Sequence, residues 1–185
     1  MALTFLTGGA RSGKSARAVL MASASDRPVT FIATARAGDA EMADRIRLHR
    51  AERPARWETV EAPLDLGAAV AGVGAESVGI IDCLSLWVAN LLERGDCGVE
   101  IEAAAERVAA ACAASRADWI VVSNEVGMGL VPMHPLGRDY RDRLGRVNAT
   151  FSRHASLAQL MVAGRALTLG DHNHDLDLIT RRTHD

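Results

Sequence analysis

Aromatic residues are scarce in this chain: three tryptophans, three phenylalanines and one tyrosine make up 4% of its 185 residues. With so few stacking rings and no basic stretch that interleaves them, single-stranded nucleic acid is not an expected partner. A net charge of -2 and a sequence pI near 6.3 give no global attraction to polyanions or to an anionic membrane. Any anion the protein binds must be held locally. Cys83, Cys97 and Cys112 are odd in number and form no C-x-x-C pair, as expected in a reducing cytoplasm. No apolar run approaches the roughly 18 residues that span a membrane, and the N-terminus enters a strand pattern without a signal peptide, so no membrane insertion is expected. The N-K-x-D signature that reads guanine in regulatory GTPases is also missing, which sets that class aside.

What the chain does have is an apolar content of 49%, enough for one well-buried domain over residues 1–170, with 171–185 as a solvated tail. Short β-branched runs alternate with longer helical patterns, the signature of a parallel sheet covered by helices. Strands are expected at "LTFLT" (3–7), "VTFIAT" (29–34), "VGIID" (78–82), "WIVVS" (119–123), "LAQLMVAG" and "ALTLG". "RWETVEA" (56–62) alternates like an edge strand. Helices are expected over residues 14–24, 39–53, 84–93, 99–116 and 136–155.

The strongest local signal ends the first strand. "GGARSGKS", residues 8–15, fits G-x-x-x-x-G-K-[ST] with its spacing intact. Glycines let the backbone amides curl around phosphate oxygens, Lys14 supplies a charge to the outer phosphates, and the Ser15 hydroxyl can ligate Mg²⁺ at the helix N-terminus. A nucleoside triphosphate is the implied ligand. Asp82 ends a strand buried on both faces, a position suited to hold that magnesium through water; it could equally cap the helix beginning near Leu84.

Two further clusters ask for a use. Arg138, Arg141, Arg143 and Arg146 could steady a transferring phosphoryl group, or form a solvated face with Asp139 and Asp142. His49 lies in "MADRIRLHRAERP" (42–54), with Arg45 and Arg53 each four positions away. On a helix Met42, Ile46 and His49 share one face, so the ring looks toward the protein. A hydrogen-bonded structural histidine is the ordinary reading. The surrounding guanidinium groups, however, disfavour a charged ring and can hold phosphate, which fits a nucleophile toward phosphorus.

"LTGGARSGKS", "FIATARAGDAEMADRIRLHRAERPARWETVEAP", "IIDCLSLWVANLL" and "VVSNEVGMGLVPMHPLGRDYRDRLGRVN" together resemble the bifunctional adenosylcobinamide kinases and adenosylcobinamide-phosphate guanylyltransferases of cobalamin biosynthesis. The similarity runs in order from about residue 3 to residue 170. It implies a P-loop NTPase-like (RecA-like) α/β fold, a homotrimer with active sites between subunits, and two reactions. One phosphorylates adenosylcobinamide from ATP or GTP; the other moves GMP from GTP to adenosylcobinamide phosphate by way of a histidine. The matching histidine is His49, preceded by Leu48 where family members can carry another. A P-loop small-molecule kinase without guanylyl transfer is the alternative.

The resemblance also implies nucleotide contacts at Gly8, Gly9, Ala10, Arg11, Ser12, Gly13, Lys14 and Ser15, at Ala33, Thr34 and Ala35, at Arg50, Ala51, Glu52 and Arg53, and at Glu61 and Asp82. His49 and Lys14 are the catalytic candidates; Ser15 and Asp82 are the magnesium candidates. Glu61 also reads as an exposed strand residue, and Glu125 of the "NEVGMG" loop as either a substrate contact or a turn cap. Trp57 and Trp87 are equally core or ligand wall. The tail places His172 and His174 among Asp171, Asp175 and Asp177, a metal-binding composition on a segment that reads as a solvated extension.

Overall fold

Why the strands of this chain read as unbroken apolar runs is plain from the sheet they build. A computed structural model describes residues 3–51 and 53–170. Among these, seven strands form one sheet in the order β3-β2-β4-β5-β1-β6-β7: β1 (Leu3–Gly8), β2 (Val29–Ala33), β3 (Glu58–Glu61), β4 (Val78–Asp82), β5 (Asp118–Val122), β6 (Leu157–Val162) and β7 (Arg165–Thr168). The first six run parallel and β7 pairs antiparallel with β6. Both faces are covered, so side chains pointing either way must be apolar. Trp119 and Val121 of β5 enter one core, while Ile120 and Val122 enter the other.

Six helices accompany the sheet among the described residues: α1 (Lys14–Ser23), α2 (Ala40–Ala51), α3 (Leu66–Ala71), α4 (Leu84–Arg94), α5 (Gly98–Ala114) and α6 (Pro135–His154). Ala18 and Ala22 of α1 pack with Phe31, Ile80 and Trp57 on one face. α3 to α6 cover the other around Trp87, Trp119 and Phe151. A Cβ on Gly79 would collide with the Trp119 ring, so this β4 position must be small for the ring to lie flat across the sheet. Both Trp57 and Trp87 are core residues, 7% and 1% exposed, and neither forms a ligand wall.

Several expectations need correction. The short α3 was not anticipated, since the six residues of "LGAAVA", fewer than two turns, carry too little periodicity to register. α2 stops at Ala51, so Arg53 lies beyond the helix, with its guanidinium stacked 3.4 Å from the centre of the Phe31 ring. No residue of α2 is buried. Asp82 does not cap α4, because Cys83 occupies the cap position. On α6 the charged-face alternative holds for Arg141, which meets Asp142, and for Arg143 and Arg146, which share Glu102 of α5, with Arg143 also meeting Asp139, at nitrogen–oxygen distances of 3.1–3.2 Å; Arg138 instead donates to the Pro132 and Met133 carbonyls. The His/Asp-rich tail lies outside the described residues.

Candidate active site

Parallel strands deliver their C-terminal ends to one edge of the sheet, where ligands of such folds collect. Gly8, Ala33, Glu61 and Asp82 all end strands there. β5 separates β1 from β4, so the phosphate loop and Asp82 face each other across one intervening strand.

The loop between β1 and α1 needs unusual backbone. Gly8, Arg11 and Gly13 all have positive φ, at 149°, 54° and 94°. A Cβ on Gly8 would strike the Met161 carbonyl oxygen, so glycine is required there on two counts. Neighbours brace the loop from both sides. The Glu125 amide donates to the Gly8 carbonyl at 2.9 Å, and the Gly164 amide at the β6–β7 turn donates to the Ser12 carbonyl at 3.0 Å. The "NEVGMG" segment thus supports the phosphate loop through its backbone, while the Glu125 carboxylate accepts from Gly127 and caps its own turn. Lys14 is only 7% exposed. Its ammonium donates to Gly8 O at 2.9 Å, Gly9 O at 2.6 Å and Ser12 Oγ at 3.3 Å. Burial lowers the Lys14 pKa, and nearby Cys83 and Asp82 oppose that shift.

Asp82 reaches toward the loop from β4. One carboxylate oxygen, Oδ2, is buried and has no hydrogen-bond partner among the described residues; it lies 3.4 Å from His49 Nε2. Beside it, burial and the Asp82 charge push the Cys83 thiol up to about 11, so it is a neutral group at physiological pH. α2 brings His49 in from above, with its side chain 43% exposed against 9% for Asp82. The apolar stripe of Met42 and Ile46 seen in the sequence faces, with His49, a cleft of about 860 Å³. The ring of arginines around His49 is therefore balanced by Asp82, a pairing the sequence did not reveal.

A family model described as cobinamide kinase / cobinamide phosphate guanyltransferase matches residues 4–169. This chain belongs to that family. Among curated relatives, the bifunctional adenosylcobalamin biosynthesis protein CobP of Pseudomonas aeruginosa is 39% identical over 165 residues, covering 89% of this chain and 95% of its own. Those named CobU from Escherichia coli and Salmonella typhimurium are 38% and 37% identical, each covering 88% of this chain and 96% of their own. The fold also resembles a Pyrococcus horikoshii OT3 protein solved in the structural study of Project ID PH0250, with TM-score 0.54, 8% identity, and 90% of this chain and 85% of that one covered. At that identity the likeness concerns the fold alone.

In this member of the cobinamide kinase / cobinamide phosphate guanyltransferase family, most of the sequence-predicted residues meet at the cleft. Ala10 to Ser15, Ala33, Ala35, His49, Arg50, Arg53, Glu61 and Asp82 all line it. Gly8 and Gly9 lie behind Lys14 and accept its hydrogen bonds. Thr34 is fully buried and Ala51 points outward, so neither side chain reaches the cleft. Glu52 lies outside the described residues. The sequence reading missed Arg36, Cys83 and Asn124, which also line the cleft. Arg36 and Cys83 sit directly beside motif residues, and Asn124 follows β5, so strand ends were the signal available.

Proposed function

We propose that both family reactions run in this single cleft: phosphorylation of the adenosylcobinamide hydroxyl by ATP or GTP, and transfer of GMP from GTP to adenosylcobinamide phosphate through guanylyl-His49. The observation that carries this reading is His49 sharing one cleft with the phosphate loop and lying 3.4 Å from Asp82. A histidine kept only for structure would have its ring in the core, whereas this side chain is 43% exposed in a cleft with Lys14 and five arginines.

In guanylyl transfer, a ring nitrogen of His49 attacks the α-phosphorus of GTP, a nitrogen–phosphorus bond forms, and the bond to the β-phosphate oxygen breaks. Lys14 leaves the Gly8 and Gly9 carbonyls to meet the charge that grows on the departing pyrophosphate. A phosphate oxygen of the corrinoid then attacks the same phosphorus, releases His49 and leaves a diphosphate bridge. The Asp82 carboxylate steadies the ring as it passes through positive charge. In the kinase reaction Lys14 serves the γ-phosphoryl group as it moves to the acceptor hydroxyl.

Mg²⁺ fits the residues present. Asp82 has a buried oxygen without a hydrogen bond, and Ser15, in the first turn of α1, lines the same cleft. No group of three His, Cys, Asp or Glu among the described residues could hold a metal alone, so the ion would arrive with the nucleotide. When bound it would screen phosphate charge, with Ser15 and Asp82 as its protein contacts.

A homotrimer in the cytoplasm belongs to the same reading. Met128, Leu130, Val131, Met133 and Leu136 are exposed by 63% to 96% on one loop and the adjoining start of α6, apolar surface of the kind subunits cover. No described helix is long and apolar enough to cross a membrane. Sedimentation should give three chains per particle.

The decisive experiment is mass spectrometry of the intact protein after GTP and Mg²⁺. A GMP adduct, stable to alkali and lost in acid, is expected on the wild type and absent from His49→Ala. An adduct that survives in His49→Ala overturns the reading.

A further inference from the structure

Ala33, Thr34 and Ala35 follow one another at the end of β2, yet only Ala33 and Ala35 line the cleft. Thr34 points the other way and is 0% exposed. An extended chain alternates its side chains, so a residue between two cleft-facing positions must face inward. What it meets there is the segment that carries Asp82. The Thr34 amide donates to the Asp82 carbonyl at 3.3 Å. Its hydroxyl accepts from the Cys83 amide at 2.8 Å and donates to the Cys83 carbonyl at 2.7 Å. Both polar groups of the peptide that follows Asp82 are therefore held by one residue.

That residue is itself held. Asn90 of α4, 8% exposed, donates through one side-chain nitrogen to the Thr34 carbonyl at 2.8 Å and to the Pro63 carbonyl at 2.9 Å. The ends of β2, β3 and β4 are tied together below the cleft floor. A buried threonine whose one hydroxyl hydrogen already goes to the Cys83 carbonyl has none left to donate to a phosphate oxygen.

We infer that Thr34 is a positioning residue for guanylyl transfer, fixing the backbone after Asp82 so that the carboxylate meets His49, and that its side chain does not contact nucleotide. This rests on the proposed role of His49. The mechanism needs no movement of Thr34, only the hydroxyl. Removing that hydroxyl leaves the Cys83 amide without its partner and the Cys83 carbonyl with only the Trp87 amide, at 3.2 Å, and the strand end must shift to satisfy the amide.

The full-length protein carries the test. Thr34→Val keeps the shape of the side chain and removes the hydroxyl, Thr34→Ser keeps the hydroxyl and removes the methyl, and Asp82→Asn is the reference for a lost carboxylate. In nucleotide-free protein, the nitrogen-15 signals of the His49 ring in Thr34→Val should move in the same direction as in Asp82→Asn. In a single turnover, Thr34→Val should load GMP about 100-fold more slowly, as a displacement of about 1 Å can cause. Its GTP dissociation constant should stay within about threefold, because the lost interaction is not with bound nucleotide. Thr34→Ser should restore the ring signals and the loading rate.

Wild-type ring signals and loading in Thr34→Val would overturn the inference. So would a defect confined to GTP affinity, which would make Thr34 a nucleotide contact, or a serine variant as impaired as valine. Thr34→Ala replaces Thr34→Val if the latter does not fold. A wild type that never loads GMP would defeat the guanylyl-transfer reading instead, while the ring signals would still decide whether Thr34 governs Asp82.

Discussion

Helices α1 and α2 each bring one of the two proposed catalytic side chains, Lys14 and His49, to the same cleft, and the protein holds them in opposite ways. α1 begins at the phosphate loop, buries Lys14, Ala18 and Ala22, and inherits a loop braced from β5 and the β6–β7 turn. α2 buries nothing; two of its ion pairs, Glu41–Arg45 and Asp44–Arg47, run between its own exposed residues, and the His49–Asp82 contact reaches the sheet. A group that neutralises phosphate charge profits from a fixed place. A nucleophile that must approach one phosphorus and then expose it to a second substrate profits from freedom to shift, and weak burial supplies it.

The sharpest way to break this comparison is to remove the fixed charge. Lys14→Ala should slow both phosphoryl and guanylyl transfer by about 100- to 1,000-fold, the usual cost of one lost transition-state donor, whereas His49→Ala should abolish only guanylyl transfer. Separate assays of the two half-reactions check it, and a Lys14→Ala enzyme with one reaction intact would show that the loop serves only one donor. Next in size, amide hydrogen exchange should run about 100-fold faster across α2 than across α1 in the absence of nucleotide, since few buried contacts resist local opening. GTP should narrow that gap. Equal protection in both helices would defeat the idea of a movable nucleophile.

Rigidity on the α1 side can be tested through its glycine. Gly8→Ala places a methyl against the Met161 carbonyl at a φ of 149°, so a loss of about 3 kcal/mol is expected from overpacking and backbone strain together. Thermal unfolding would show it as a fall of several degrees. At the small end, Arg47→Ala on α2 breaks only an exposed contact of 3.4 Å with Asp44, and the midpoint should stay within about 1 °C. A larger fall would mean that α2 is held more firmly than its burial indicates.

How much of this could be read beforehand follows from range. β4 and β5 announced themselves because a strand covered on both faces must be apolar at every position, and the phosphate loop because eight consecutive residues carry its chemistry. Asp82 was found from its place at a strand end. Its contact with His49 was not, because it depends on how α2 crosses the sheet edge, and "MADRIRLHRA" contains no record of that crossing. Thr34 shows a subtler limit: family likeness placed it among nucleotide contacts, while its fully buried side chain turns inward between two alanines that face the cleft. The arginines of α6 were ambiguous until Glu102 of α5 came into range.

The Gly164 amide bonded to the Ser12 carbonyl links the last hairpin of the described chain to its first turn. During synthesis the loop at Ser12 leaves the ribosome well before the turn that braces it. Until residue 164 has emerged the loop lacks that support, so its final shape waits on a segment made long after it.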